Sequence, residues 1–513
     1  MLGLLLQLII DASFSWARML IALFLSIVIS IGIGILAARS KRAGRIIIPI
    51  LDVLQTLPIL AFFPFVIFIV VATLPNYIGI NAAVIFLIVT SMVWNIAFAV
   101  YESVSTLPNN LIEASRLYGL GWFSRMRKLY IPACMPRVAE QSILSWAVGL
   151  FYLVTSEIFS TGSAQYTVRG IGTGIAQLAF SGSSLYYALG IGVFILFVVA
   201  TRFLLFRPFE RYTTRYMEPQ QRKVQVREVW LVRAFSGISS VHVPRIRMHM
   251  KRHARVPVPR VERRMRLRFS GFVGVLILTL ALLAALFLTH PYLASYEFIT
   301  LESLVDSFAR VWFAFIVICA VSVPLATYIV FMSKKSSHYV TLFQILASIP
   351  ATILLPAIAG GLAGVPHRGE ITSLAIFFIS GLWYMVFGML SSARTLSPEV
   401  FEVKRSFGVR GWRAWKGVYI GALLPGMITG GITAIAGEWN ASIVAEFFTK
   451  QGISGTSIVS SVGTGIGRLL DLSLANGNLL LVGIALINMT VMIVLIDIFV
   501  WKRLYRKIVS TWG

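Results

Sequence analysis

The chain has 513 residues, is 58% hydrophobic with a mean hydropathy of +0.83, and carries a formal charge of +25. That apolar content excludes a soluble globular protein, and several runs reach the ~20 residues needed to cross ~30 Å of hydrocarbon. The runs are too long and too many for a signal peptide, and β-barrels lack apolar runs of this kind, so an all-α integral membrane protein is expected. The charge does not point to nucleic acid. Residues 202–268 hold 18 Lys and Arg against Glu210, Glu218, Glu228 and Glu262, and no folded nucleic-acid reader accompanies them. They read as a cytosolic linker lying on a lipid membrane of anionic character.

In chain order, the spans are expected at 17–38, 46–71, 80–104, 137–160 and 184–206, then 271–290, 311–332, 339–361, 371–393, 425–448 and 477–501. Short basic loops, such as Lys41-Arg42 and Lys334-Lys335, fix their orientation. Threading about eleven spans puts these loops, the linker and the C-terminus in the cytosol and the N-terminus outside. The domains read as 1–206 with five spans, a basic linker at 207–268, and 269–513 with six.

The two halves repeat each other in parallel orientation. An offset of 289 residues aligns Thr106, Glu113, Gly119, Tyr130 and Pro136 with Thr395, Glu402, Gly408, Tyr419 and Pro425. Pro58 and Pro64 match Pro350 and Pro356, and Ser156-Glu157 matches Ala445-Glu446. The helix at 271–290 is extra and returns the chain so that both halves keep one orientation. In the second loop, Ser397-Pro398-Glu399 reads as N-cap, first helical residue and acidic second position. A short helix then stops at Gly119 or Gly408, where glycine takes the left-handed cap. Each loop is thus expected to form two short helices joined by a glycine turn. A polar hairpin repeated between membrane spans reads as a docking element.

Glu113-Ala114-Ser115, followed by Gly119 and then Ile131-Pro132, resembles the EAA loop of ABC importer permeases with the MetI-like fold. The resemblance covers nearly the whole chain outside the linker and the extra helix. It implies two tandem MetI-like helical bundles and coupling segments at 113–127 and 402–416 that seat on an ATP-binding subunit. Glu113, Ala114, Gly119 and Arg125, then Glu402, Gly408 and Lys416, are the coupling residues it implies. The second loop departs from the pattern, with Glu402-Val-Lys for Glu-Ala-Ala and Gly421 where the first has Pro132. The proline helices and the endings at Glu157 and Glu446 are most similar to the nitrate, sulfonate and taurine class, which implies a small anion as solute. Fused permeases for iron, thiamine or another solute are the alternative. An ion-driven secondary transporter would leave the twin loops unexplained.

No Gly-x-x-x-x-Gly-Lys-Ser/Thr loop and no metal-ligand spacing occurs in the chain, so no cofactor is expected in it. ATP and Mg would sit on the partner ATPase, in two copies, with an extracellular solute-binding protein as a further partner. Cys134 and Cys319 read as packing residues. Candidates for the solute pathway are the polar residues inside spans: Asn95, Glu157, Glu438, Asn440 and Glu446. Glu438 would repel an anion unless it is protonated or paired with Arg310 or Arg169. Glu157 and Glu446 lie nearer helix ends and read as gate or interface residues. Gly172-Thr-Gly174 and Gly463-Thr-Gly465 align as tight turns or as a surface for the binding protein.

Overall fold

The computed structural model describes residues 2–56, 58–62, 66, 70, 73–161, 168–180, 183–216, 293–333, 339, 342–343, 346–394, 411–452, 455–501 and 503–504. Eight helices among them are long and apolar enough to cross a membrane. The expected span at 271–290 and most of the linker lie outside the described residues.

The first half opens on α1 (Leu2–Arg39), which starts fifteen residues before the expected span. Gln7, Asp11, Ser15 and Arg18 dilute the hydropathy there. The helix nevertheless continues, because no proline interrupts it and Asp11, Ser15 and Arg18 turn inward and are buried. α2 (Lys41–Thr56) ends before Pro58 and is followed by a 3₁₀ turn, Ile59–Phe62. Then come α3 (Asn76–Ser105), α4 (Asn109–Leu117), α5 (Trp122–Arg125) and, after a π turn at Met126–Tyr130, α6 (Ile131–Thr161). α7 (Ile171–Phe180), α8 (Ser184–Thr201), a π turn at Arg202–Phe206 and α9 (Arg207–Thr213) complete it.

The second half repeats this order with α10 (Leu293–Thr327), α11 (Ala351–Gly361), α12 (Arg368–Arg394), α13 (Gly411–Ala414), a π turn at Trp415–Tyr419 and α14 (Ile420–Ala445). α15 (Ile466–Ala475) has ten residues like α7, and α16 (Leu479–Ile496) has eighteen like α8. A five-residue π turn follows each of the latter. α14 stops at Ala445, three residues before the expected end. The chain then forms an antiparallel hairpin of β1 (Phe447–Gly452) and β2 (Gly455–Ser461), a small departure from a wholly helical fold.

Neither proline-bearing segment, 46–71 or 339–361, is one straight helix. Proline lacks the N–H that continues a helix and pushes its predecessor out of the α region. Pro350 sits in an extended conformation (ψ 134°) and α11 starts just after it. The two breaks carry contacts between the halves. The 3₁₀ turn after Pro58 packs on α14, and α11 packs on α6.

Within each half, small residues let the helices approach closely. Gly34 of α1 lies against Val100, and Ser30 donates to the Val93 carbonyl at 2.9 Å. In the second half, Gly388 of α12 interlocks with Gly426 and Gly430 of α14. A Cβ added at Gly426 would stand 2.1 Å from the Gly388 carbonyl oxygen. Substituting Gly426→Val must push the two backbones apart, and overpacking of this kind costs about 1–3 kcal/mol or more. The expected result is a clear drop in melting temperature in detergent, whereas Gly483→Ala, which meets open space, leaves it unchanged.

Candidate functional site

The first repeated loop folds as a helical hairpin. Pro108 precedes α4, and Gly119 takes φ +68° as its stop. The Leu120 amide donates to the Ser115 carbonyl at 3.1 Å and the Gly119 amide to the Arg116 carbonyl at 2.9 Å, the paired bonds of a Schellman cap. Ile112 and Ser115 are buried, Ala114 is half-buried and Glu113 is exposed. Leu117, Tyr118 and Phe123 are 88, 84 and 71% exposed. Exposed apolar side chains thus stand at the tip of a polar hairpin. Arg125 is half-buried, and its Nε has no partner among the described residues.

Glu402 and Gly408 lie outside the described residues; Lys416 lies in the π turn at Trp415–Tyr419. The end of the second loop matches the first. Tyr130 is fully buried beneath the guanidinium of Arg39, 5.3 Å from its ring centroid. Tyr419 stacks on Phe331 at 4.3 Å, and Phe331, in the π turn Tyr328–Met332 that follows α10, holds the position of Arg39 in the first half. The first hairpin and the described end of the second loop are each tied through one tyrosine to the end of their half's first helical segment.

At the far end of α6 and α14 lie two matching polar knots. Glu157 accepts from Ser15 Oγ at 2.7 Å, Arg18 Nη1 at 2.8 Å and the Gly172 amide at 2.7 Å. Glu446 accepts from Ser307 Oγ at 2.6 Å, Arg310 Nη1 at 3.3 Å and the Gly467 amide at 2.8 Å. The serines in turn accept from the amides of Ile171 (2.9 Å) and Ile466 (2.8 Å). Both carboxylates, expected from their position at gates or interfaces, have 0% exposure and lie within these knots. The Gly-Thr-Gly alignment also changes. Gly172 lies inside α7, and its counterpart is Gly467 rather than Gly463. Gly170 and Gly465 are glycine because a Cβ there would stand 2.1 and 2.5 Å from the buried carboxylates. The arginines' remaining partners differ. Arg18 Nε donates to Asn81 at 2.7 Å, whereas Arg310 forms a forked pair with Glu370.

Glu438 is fully buried in α14, but it faces α10 and α12 inside the second half. Neither carboxylate oxygen has a partner among the described residues. The arginines expected as possible partners are otherwise engaged, Arg310 with Glu370 and Glu446 and Arg169 with Asp11 at 2.7 Å. Its first-half counterpart is Gly149, against which the Met92 methyl packs, while Met92's own counterpart is Gly381, packed against Glu438. The two halves have exchanged which helix fills the same space.

Asn440, on the opposite side of α14, reaches the seam between the halves and accepts from the Leu60 amide at 3.4 Å. Thr155 of α6 donates to Thr352 of α11 at 3.2 Å, and Tyr187 donates to the Ile353 carbonyl at 2.6 Å. Tyr152 of α6 and Tyr384 of α12 lie within electrostatic reach of each other across it. Asn95 lines a polar cavity of about 500 Å³ between α3 and α6. The structure thus brings Asn95 and Asn440 to open or inter-half positions and withdraws Glu157, Glu446 and Glu438 into the bundles. The missed residues carry a readable signal: Ser15-Trp-Ala-Arg18 recurs as Ser307-Phe-Ala-Arg310, shifted to an offset of 292.

Removing one partner of a buried ion pair leaves the other uncompensated, at a cost of about 3–5 kcal/mol. Glu157→Ala is therefore expected to lower the melting temperature far more than Glu210→Ala, whose half-exposed pair with Arg202 is worth ~1 kcal/mol or less. Gly381→Met alone drives a side chain into Glu438, 2.7 Å from the added Cβ. Combining it with Glu438→Gly copies the first half's arrangement. Thermal unfolding should find the single change destabilising by about 1–3 kcal/mol and the pair at least partly restored.

Known sequences agree with this architecture. The family described as "Binding-protein-dependent transport system inner membrane component" matches twice, over residues 30–211 and 321–508. The glycine betaine/proline betaine transport system permease protein ProW of Escherichia coli (strain K12) is 31% identical over 193 residues, 37% of this chain and 51% of that protein. Its Salmonella typhimurium counterpart is 30% identical over the same coverage. The glycine betaine transport system permease protein OpuAB of Bacillus subtilis (strain 168) is 29% identical over 172 residues, 31% of this chain and 58% of that protein. The chain matches about half the length of the two ProW relatives. With both halves matched over most of their length, the chain belongs to the family of binding-protein-dependent transport system inner membrane components.

Proposed function

We propose that this chain forms both halves of the membrane channel of an ATP-driven importer, with permease units at 1–206 and 269–513 joined by the basic linker. The carrying observation is the tyrosine-anchored hairpin of the first half, which exposes Leu117, Tyr118 and Phe123, with the matching tyrosine anchor at the end of the second loop. Two copies of an ATP-binding subunit, holding ATP and Mg, would seat on the hairpins from the cytosol. ATP hydrolysis belongs to those subunits. A solute-binding protein would deliver the solute to the opposite face, where the N-terminus of the chain lies.

The seam favours a compact solute of zero net charge with a quaternary ammonium group, in the class carried by the betaine permeases it resembles. The side chains placed there, Tyr152, Thr155, Thr352, Tyr384 and Asn440, are uncharged, and aromatic faces suit quaternary ammonium groups. Arg18 and Arg310 are consumed in the knots. A small anion finds no free cation among these groups, so the nitrate, sulfonate and taurine reading gains no support.

Co-purification tests the coupling. The solubilised chain should bring down its ATPase subunit, and Gly119→Pro with Gly408→Pro should abolish that while leaving the chain folded. Binding that ignores both loops would remove the coupling reading.

A further inference from the structure

A polar cavity opens at the hairpin end of the first half, where the second half has its glycine clamp. It measures about 500 Å³, within the ~300–1,000 Å³ range of small-molecule sites. Gln55 enters from the end of α2 beside the Pro58 break. Asn95, Phe98 and Glu102 come from α3, and Arg137, Glu140 and Gln141 from α6. It therefore lies between the break that touches Asn440 and the hairpin joining α3 to α6.

The repeat explains the difference between the halves. Ala99, Arg137 and Gln141 occupy the positions of Gly388, Gly426 and Gly430. In the second half those glycines bring α12 and α14 into backbone contact. In the first, the larger side chains hold α3 and α6 apart and line the opening. The polar groups are also one-sided, because Asn95, Glu102 and Glu140 correspond to Tyr384, Ser391 and Thr429.

We propose that this cavity is a low-affinity site for a zwitterion carrying a quaternary ammonium and a carboxylate, occupied on the way from the seam to the cytosol. This rests on the importer reading above. Arg137 now pairs with Glu102. A zwitterion inserts into that pair head to tail, its carboxylate on the guanidinium and its ammonium against Glu102, Glu140 and the Phe98 ring. Two carboxylates against one guanidinium give the cavity a net negative balance, which disfavours a simple anion.

Calorimetric titration of glycine betaine into the full chain, purified with its ATPase subunit and without the solute-binding protein, tests this. Binding in the millimolar range is expected, weakened about tenfold or more by Arg137→Gln and by Glu140→Gln. Gln141→Trp, which fills the cavity without altering charge, should abolish it, and nitrate should not compete. Equal melting temperatures and ATPase retention show that each variant is folded. Absent binding, or binding indifferent to all three changes, overturns the site. If cells then still take up glycine betaine through this chain, only the site falls; if they take up none, the solute reading falls with it.

Discussion

Two carboxylates buried in an apolar bundle, Glu157 and Glu446, set the terms for the rest of the molecule. A buried carboxylate must be compensated by hydrogen bonds and charge or it destabilises the fold by several kcal/mol. Compensation here draws one serine and one arginine from the first helix of the half and two backbone amides from the start of a short helix. Three segments distant in sequence are thus pinned at one point. The repeated loop lies at the other end of the long helix that carries each carboxylate, anchored through Tyr130 or Tyr419. Each of these long helices is thus held at both ends by contacts to the first helical segment of its half.

Around this shared frame the halves have diverged in their interiors. Met92 over Gly149 becomes Gly381 under Glu438, Asn81 becomes Glu370, and a polar opening becomes a glycine clamp. A dimer of identical subunits would impose each change on both sides of the seam. A fused chain is free of that constraint, so its two halves can differ in their interiors. Glu438 itself remains without a partner among the described residues, and the packing exchange accounts for its space but not for its charge.

Much of this was legible in the sequence because it rests on local rules. Apolar length located eight of the spans, and a glycine at the right distance from Glu113 located the helix stop that Gly119 makes. What escaped depended on tertiary contacts. Hydropathy windows cut α1 and α10 short because a polar residue that turns inward scores the same as one facing lipid. Pro58 and Pro350 were visible as a repeat, yet the breaks they cause, and the seam built on those breaks, appear only once the halves are packed together. The polar candidates Glu157, Glu438 and Asn440 could not be sorted, since which side of a helix faces the seam is decided by packing. The Ser-x-x-Arg repeat was readable but lay outside the register that the loops define.

The most direct measurement is solute uptake into proteoliposomes holding this chain with its ATPase subunit and binding protein. Glycine betaine is expected to accumulate only when ATP is present, with nitrate and taurine left outside. Accumulation of nitrate or taurine in place of the betaine, or uptake driven by an ion gradient with no need of ATP, would contradict the importer mechanism and its solute.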